Sequence, residues 1–227
     1  MKRSELDAAI DAALRLAADC SFALPAFAHW DRDGWFARRA GLGDTIARGL
    51  GWDVTDFGRG DFARYGLTLC TLRNGTVAER DAGLGQTYAE KVLAVREGQE
   101  TPFHLHRSKT EDIVHRGGPG VLVLEVRAAD GEALGTGPVR TLVDGLAREL
   151  AAGESVRLSA GGSLQVPAGT FHRFWAEGGP VLAGEVSGVN DDVGDNVFLE
   201  PSARYPGIEE DVLARHLLVA EHGLLGG

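Results

Sequence analysis

The chain has 227 residues, and 32 of them are glycine, roughly twice the average usage. A helical bundle does not carry that load, since each interior glycine costs about 1 kcal/mol relative to alanine, while 44% hydrophobic and 25% charged residues exclude a largely disordered chain. A net charge of −10 at pH 7 repels phosphate backbones and anionic lipid headgroups, so neither nucleic acid nor a membrane surface is expected as a partner.

The first element expected is a helix over residues 4–20. Ser4 and Asp7 have the spacing of a capping pair, and Leu6, Ile10, Ala13, Leu14 and Ala17 recur at helical spacing. Residues 21–33 carry Phe22, Phe27 and Trp30, an aromatic set suited to covering a barrel surface or lining its mouth. A second helix is expected between Asp33 and Leu50, ended by the glycines at 49 and 51.

From about residue 53 the period changes. Short apolar runs at 67–72, 88–95, 121–126, 155–158, 163–166 and 181–187 alternate with turn residues. Asn74-Gly75 and Asp130-Gly131 are hairpin-turn signals. Repeated short strands with glycine turns predict a closed or nearly closed antiparallel barrel. A short helix is expected over 209–218. The organisation read from the sequence is one domain: a helical segment at 1–52, a barrel at 53–200 and a C-terminal segment at 201–227.

Cys20 and Cys70 lie 50 residues apart, which is neither a zinc spacing nor a disulfide framework. Buried thiols in a reducing compartment are expected. The first residues lack the apolar core of a secretory signal, and no apolar run approaches the roughly 20 residues of a membrane span. A cytoplasmic protein is the expectation.

His104 and His106 form H-x-H, which on a strand puts two imidazoles on one face. Glu111 follows five residues later. His172 stands just after the turn Pro167-Ala168-Gly169. Three imidazoles and a carboxylate suit a divalent transition metal, whether manganese, iron, cobalt or zinc. Lys109 lies two residues from Glu111, where it is placed to give or take a proton, though a surface lysine would fit that position equally well. Glu185 sits in a strand-like run and is placed either to point inward as a base or to face solvent. Asp191, Asp192 and Asp195 offer acceptors for polyol hydroxyls, and also fit a solvated turn. Arg204 is a further ligand-binding candidate. Phe171 and Phe174 flank His172 as possible pocket walls, with core packing the commoner role for such residues. His29, His115, His216 and His222 read as structural or surface residues.

The strings G-x5-H-x-H-x4-E-x6-G, from Gly98 to Gly118, and G-x5-P-x-G-x2-H, from Gly161 to His172, resemble the paired motifs of the cupin superfamily. Ala176 stands where the second motif usually ends in a structural asparagine, a departure that leaves the ligand set intact. Finer strings extend the likeness: Glu90-Lys91, Thr101-Pro102-Phe103-His104-Leu105-His106, Lys109-Thr110-Glu111-Asp112-Ile113, Val189-Asn190-Asp191-Asp192, Asp195-Asn196-Val197-Phe198 and Arg204-Tyr205-Pro206-Gly207-Ile208. They are similar to the D-lyxose ketol-isomerase family over nearly the whole chain. That resemblance implies a mainly β cupin barrel with an N-terminal helical segment. It also implies a monosaccharide substrate, aldose–ketose isomerisation through an enediol, and manganese as the usual metal. The same ligands would serve an iron-dependent cupin dioxygenase, and a sugar-binding cupin without catalysis is a third reading. A homodimer is the assembly expected by frequency alone.

Overall fold

The computed structural model describes residues 1–191, 194–203 and 207–226. Helix α1 (Arg3–Asp19) starts one residue before the expected position. Its cap is Lys2, whose backbone N–H donates to the Glu5 carboxylate at 2.8 Å. Ser4 is instead taken up by Asp211, which accepts from both its N–H and its hydroxyl. The expected second helix is broken into α2 (Arg32–Arg38), a 3-10 turn (Arg39–Gly41) and α3 (Gly43–Ala47). Asp31 caps α2 by accepting from the Gly34 N–H at 2.7 Å. The break falls where Gly41 and Gly43 remove helical preference.

The strands follow as β1 (Gly51–Thr55) and β2 (Leu67–Asn74), then, after helix α4 (Val77–Ala82), β3 (Tyr88–Val95), β4 (Glu100–His106), β5 (Glu111–Gly117) and β6 (Val121–Asp130). Next come β7 (Ala133–Leu134), β8 (Val139–Val143), β9 (Leu146–Leu150), β10 (Ser155–Leu158) and β11 (Ser163–Val166). The last are β12 (Thr170–Glu177), β13 (Val181–Gly188) and β14 (Asn196–Phe198). All pair antiparallel in two curled sheets, one ordered β1-β2-β3-β13-β5-β11-β8-β9 and the other β10-β6-β12-β4-β14, with β7 on β6. This is the architecture the cupin resemblance implies.

The main apolar core lies between the sheets. Leu122, Leu124, Val126 and Phe174 meet Leu93, Ile113, Leu164 and Val181 there. A second core lies between α1 and the outside of the larger sheet. In it Leu6, Ile10 and Ala13 pack on Trp52, Val54, Cys70, Leu72 and Val92. Strand β1 is therefore buried on both faces. The aromatic set at 21–33 covers the barrel: Phe22 packs on the helix–sheet core, and Trp30 meets Trp35 edge-on at 5.2 Å. Cys70 is fully buried, Cys20 only partly, and both are free thiols.

Two local expectations fail for tertiary reasons. Asn74-Gly75 does not close a two-residue hairpin. The chain runs on into α4, capped by reciprocal bonds between Thr76 and Glu79. Gly75 is needed for close approach, since a Cβ there would lie 1.7 Å from the Gln86 carbonyl oxygen. Residues 209–218 do not form a helix; a 3-10 turn occupies Val219–Leu225 instead. Their polar groups serve α1: Arg3 bonds Glu210 and Glu221, while Asp7 accepts from the N–H groups of Arg215 and His216. Asp130-Gly131 does turn the chain from β6 into β7, with Gly131 at φ +61°. Among the described residues no helix is long and apolar enough to cross a membrane.

Candidate active site

The four residues singled out as ligands come together from both sheets. His104 and His106 project from β4 of the smaller sheet, and His172 on β12 lies directly opposite His104 in the strand register. Glu111 opens β5 of the larger sheet. The ligand atoms all lie within 4.8 Å of one another, and every one of these residues is buried. The glycines of both motifs adopt the left-handed backbone that the turns require, from +70° at Gly98 to +110° at Gly118. Gly169 also donates its N–H to the His106 carbonyl at 2.7 Å, which pins the second motif onto the first.

Each imidazole is oriented from behind. His104 Nδ1 lies 2.9 Å from the Pro102 carbonyl, and His172 Nδ1 lies 3.4 Å from the Thr170 carbonyl. His106 Nδ1 faces the Asp195 carboxylate at 3.7 Å. That leaves the Nε2 atoms aimed at the centre, where His172 Nε2 is 2.8 Å and His106 Nε2 3.2 Å from the Glu111 oxygens. His172 Nε2 and Glu111 Oε2 are buried there among these close neighbours without a well-formed hydrogen bond. Buried polar atoms left this way are costly unless another group completes them. Burial and the neighbouring imidazoles hold His104 well below its ordinary pKa, and burial lowers His106 against the pull of Glu111. Burial pushes the Glu111 carboxyl up, but Lys109 and the facing histidines outweigh it and hold it ionised. Three imidazoles and a carboxylate converging on one buried point are what a divalent cation requires, so the cluster could hold one.

Beside the cluster lies a cavity of about 110 Å³. One water needs about 10–15 Å³ counted the same way, so the space suits a small polyol. Lys109 comes from the loop that crosses between the sheets after β4. Its Nζ is 2.6 Å from Glu185 Oε1 and 3.3 Å from Glu111 Oε2. Glu185 points inward from β13, and Ser187 Oγ also donates to it at 3.0 Å. A second cation, Lys91 on β3, sits 3.3 Å from the same carboxylate and donates to Asn190 Oδ1 at 2.5 Å. Burial pushes Glu185 up, but Lys109 and Lys91 together hold it at about 2.

The expected ligand-binding residues fare differently. Asp195 is buried behind His106, 3.7 Å from its Nδ1, and accepts from the Ser108 N–H and hydroxyl at 2.7 and 2.6 Å; it does not line the cavity. Asp191 caps a turn by accepting from the Gly194 N–H at 2.9 Å and lies off the cavity wall. Phe171 is buried on the opposite side of β12 from His172, because neighbouring strand residues face opposite ways. Phe174 does line the cavity. Arg204 and Asp192 lie outside the described residues. His115 is structural, with Nε2 2.9 Å from the Gly120 carbonyl, and His222 packs on Trp35. The sequence reading assigned no role to Lys91, Asn190, Asn196, Asp53, Thr55 and Thr71, all of which line the cavity. Glu90-Lys91, Asn190 and Asn196 fall within strings that carry the family likeness. Asp53, Thr55 and Thr71 fall in none, and their alternation with apolar neighbours was the only signal.

A family profile described as D-lyxose isomerase matches residues 1–222. The D-lyxose/D-mannose isomerase of Escherichia coli O157:H7 is 42% identical over 226 residues, covering 98% of both chains. The enzyme of the same description from Serratia proteamaculans is 42% identical over 203 residues, covering 88% of both. Among solved structures, the L-ribose isomerase of Cellulomonas parahominis with L-ribose superposes with a TM-score of 0.58 at 18% identity, covering 92% of this chain and 98% of that one. A mutant of the Acinetobacter sp. DL28 L-ribose isomerase gives 0.59 at 15%. These structural likenesses establish the fold. With its length matched by the profile and by relatives at 42% identity, the chain belongs to the D-lyxose isomerase family and is a sugar isomerase.

Proposed function

We propose that this chain interconverts D-lyxose and D-xylulose, with D-mannose and D-fructose as a second pair, using a divalent metal of which manganese is the first choice. His104, His106, Glu111 and His172 would hold the metal. When bound, it supplies Lewis-acid polarisation of the sugar carbonyl and its neighbouring hydroxyl. The observation that carries the reading is Glu185, which lines the same cavity as His104, His106 and Glu111 and is bonded at 2.6 Å by the buried Lys109 beside that cluster.

Moving a carbonyl by one carbon requires two proton transfers. Glu185, ionised at neutral pH, takes the proton from C2 of the aldose, and the C2–H electrons become the C1–C2 double bond of an enediol. Lys109 donates a proton to O1 as that bond forms and recovers one from the O2 hydroxyl as the C2 carbonyl forms. Glu185 then returns its proton to C1. No atom is gained or lost, and both residues end in their starting state. Lys91 keeps Glu185 charged and aimed between turnovers.

The test is to strip metal, restore manganese and follow D-lyxose to D-xylulose. Conversion with manganese, absent without metal, is expected. No conversion with manganese, cobalt, zinc or iron would sink the reading, and oxygen consumption in its place would identify a dioxygenase. His172→Ala should lose metal and activity together; full metal occupancy in that variant would contradict the ligand set.

A further inference from the structure

Strand β1 reads Trp52-Asp53-Val54-Thr55, an alternation of apolar and polar residues. In an ordinary surface strand the polar face meets solvent. Here the order is inverted. Trp52 and Val54 pack beneath α1, while Asp53 and Thr55 turn into the barrel and line the cavity. Both polar residues are about 6% exposed, as buried as a core. On β2, Cys70 and Leu72 face the helix, and Thr71 faces the cavity at 4% exposure. Valine matches threonine in shape and would fill a core position without a hydroxyl to satisfy, and a buried carboxylate is costlier still. Thr55 Oγ1 is already used, accepting from the Phe57 N–H at 2.9 Å, so it is Asp53 and Thr71 on the inner face of the barrel wall that mark a surface built to meet a polar ligand.

Their place along the sheet says which part of the ligand. Strand register runs Thr71↔Lys91↔Glu185, so Thr71 lies in the row that holds the proton-transfer carboxylate. Asp53 pairs with Leu69, which pairs with Leu93, one inward-facing row further from the row of Glu111. Asp53 is thus the carboxylate at the end of the cavity away from the ligands, beyond an apolar stretch of Leu69 and Leu93. An open-chain aldose is a carbonyl followed by a row of hydroxyls. With its first two carbons between the ligand cluster and Glu185, the remaining hydroxyls run towards β1. A carboxylate accepts from two vicinal hydroxyls at once.

We propose that Asp53, assisted by Thr71, binds the distal hydroxyls of the sugar and determines which aldoses are turned over. This rests on the isomerase reading above. Asp53 and Thr71 act on binding and specificity, not on the proton transfers.

The test compares Asp53→Asn and Thr71→Val with the parent, all manganese-loaded with metal content measured, on D-lyxose and on the short aldose D-glyceraldehyde, which lacks the distal hydroxyls. Loss of a hydrogen bond to a charged group predicts a KM for D-lyxose raised about ten- to a hundredfold by Asp53→Asn, with kcat within about threefold. Thr71→Val, which keeps the side-chain shape, should raise it about three- to tenfold. On D-glyceraldehyde both variants should match the parent. An equal loss on both sugars, or no loss on D-lyxose, would overturn the proposal. If the parent isomerises neither sugar, the isomerase reading has failed, and calorimetry with the non-reacting polyol D-arabitol decides the subsite separately. Weaker polyol binding in Asp53→Asn supports it; equal binding, or none by the parent, overturns it.

Discussion

Replacing Lys91 by methionine removes one of the two cations on Glu185 and keeps most of the side-chain volume. The Glu185 carboxyl lies at about 2 in the folded protein against an ordinary 4.5. At about 1.36 kcal/mol per pH unit, that displacement is worth about 3 kcal/mol of folding stability. Burial opposes the displacement, and Lys109, nearer at 2.6 Å against 3.3 Å, is the larger of the two cations that overcome it; losing Lys91 costs on the order of 1 kcal/mol. Lys91 also donates to Asn190 at 2.5 Å, and its removal costs about 1 kcal/mol more. Because the folded pKa is depressed, the ionic part is fully present above pH 4.5 and is lost as pH falls through about 2. Lys91→Met should therefore be about 2 kcal/mol less stable at pH 7 by urea unfolding of metal-free protein, with the ionic part of the deficit disappearing only as pH falls towards about 2. The acid limb of kcat should also move to higher pH. No deficit at pH 7 would refute the electrostatic account of Glu185.

Glu185→Gln cannot accept a proton, so kcat should fall about 10²- to 10⁴-fold while metal content stays at the parent level; a variant that keeps its rate removes Glu185 from the chemistry. Asp195→Asn weakens the group behind His106 and should lower metal affinity about 10- to 100-fold, read by competition with a chelator. Unchanged affinity would make Asp195 a loop residue only. Gly75→Ala must displace the Gln86 backbone, since its Cβ would sit 1.7 Å from that carbonyl. A loss of about 2–4 kcal/mol in unfolding experiments is expected, and a change below about 0.5 kcal/mol would contradict the close approach.

The ligand cluster was legible because its signals are local. H-x-H on a strand aims two imidazoles one way, and the motif glycines mark the turns that bring back Glu111 and His172. The burial of Lys109 beside Glu111 follows from the same nearness in sequence. The distinct fates of Phe171 and Phe174 follow from strand alternation with His172, a local rule that separates one buried phenylalanine from one that lines the cavity. Asn74-Gly75 carries the chemistry of a tight turn, yet the approach of Gln86 and the capping of α4 override it, and neither lies within the dipeptide.

The sequence by itself determined the strand periodicity, the amphipathic N-terminal helix and the set of residues able to hold a metal, because each depends on spacings of a few residues. Only the tertiary structure decided which face of β1 and β2 looks into the barrel. The alternation Trp52-Asp53-Val54-Thr55 is the same whether its polar side meets solvent or a cavity; packing α1 over the apolar side turned the polar side inward. The same sheet order set Thr71, Lys91 and Glu185 in one row, Lys91 and Glu185 alone being 94 residues apart. Long-range pairing of this kind is specified by the burial of whole faces, and no short window of sequence contains it.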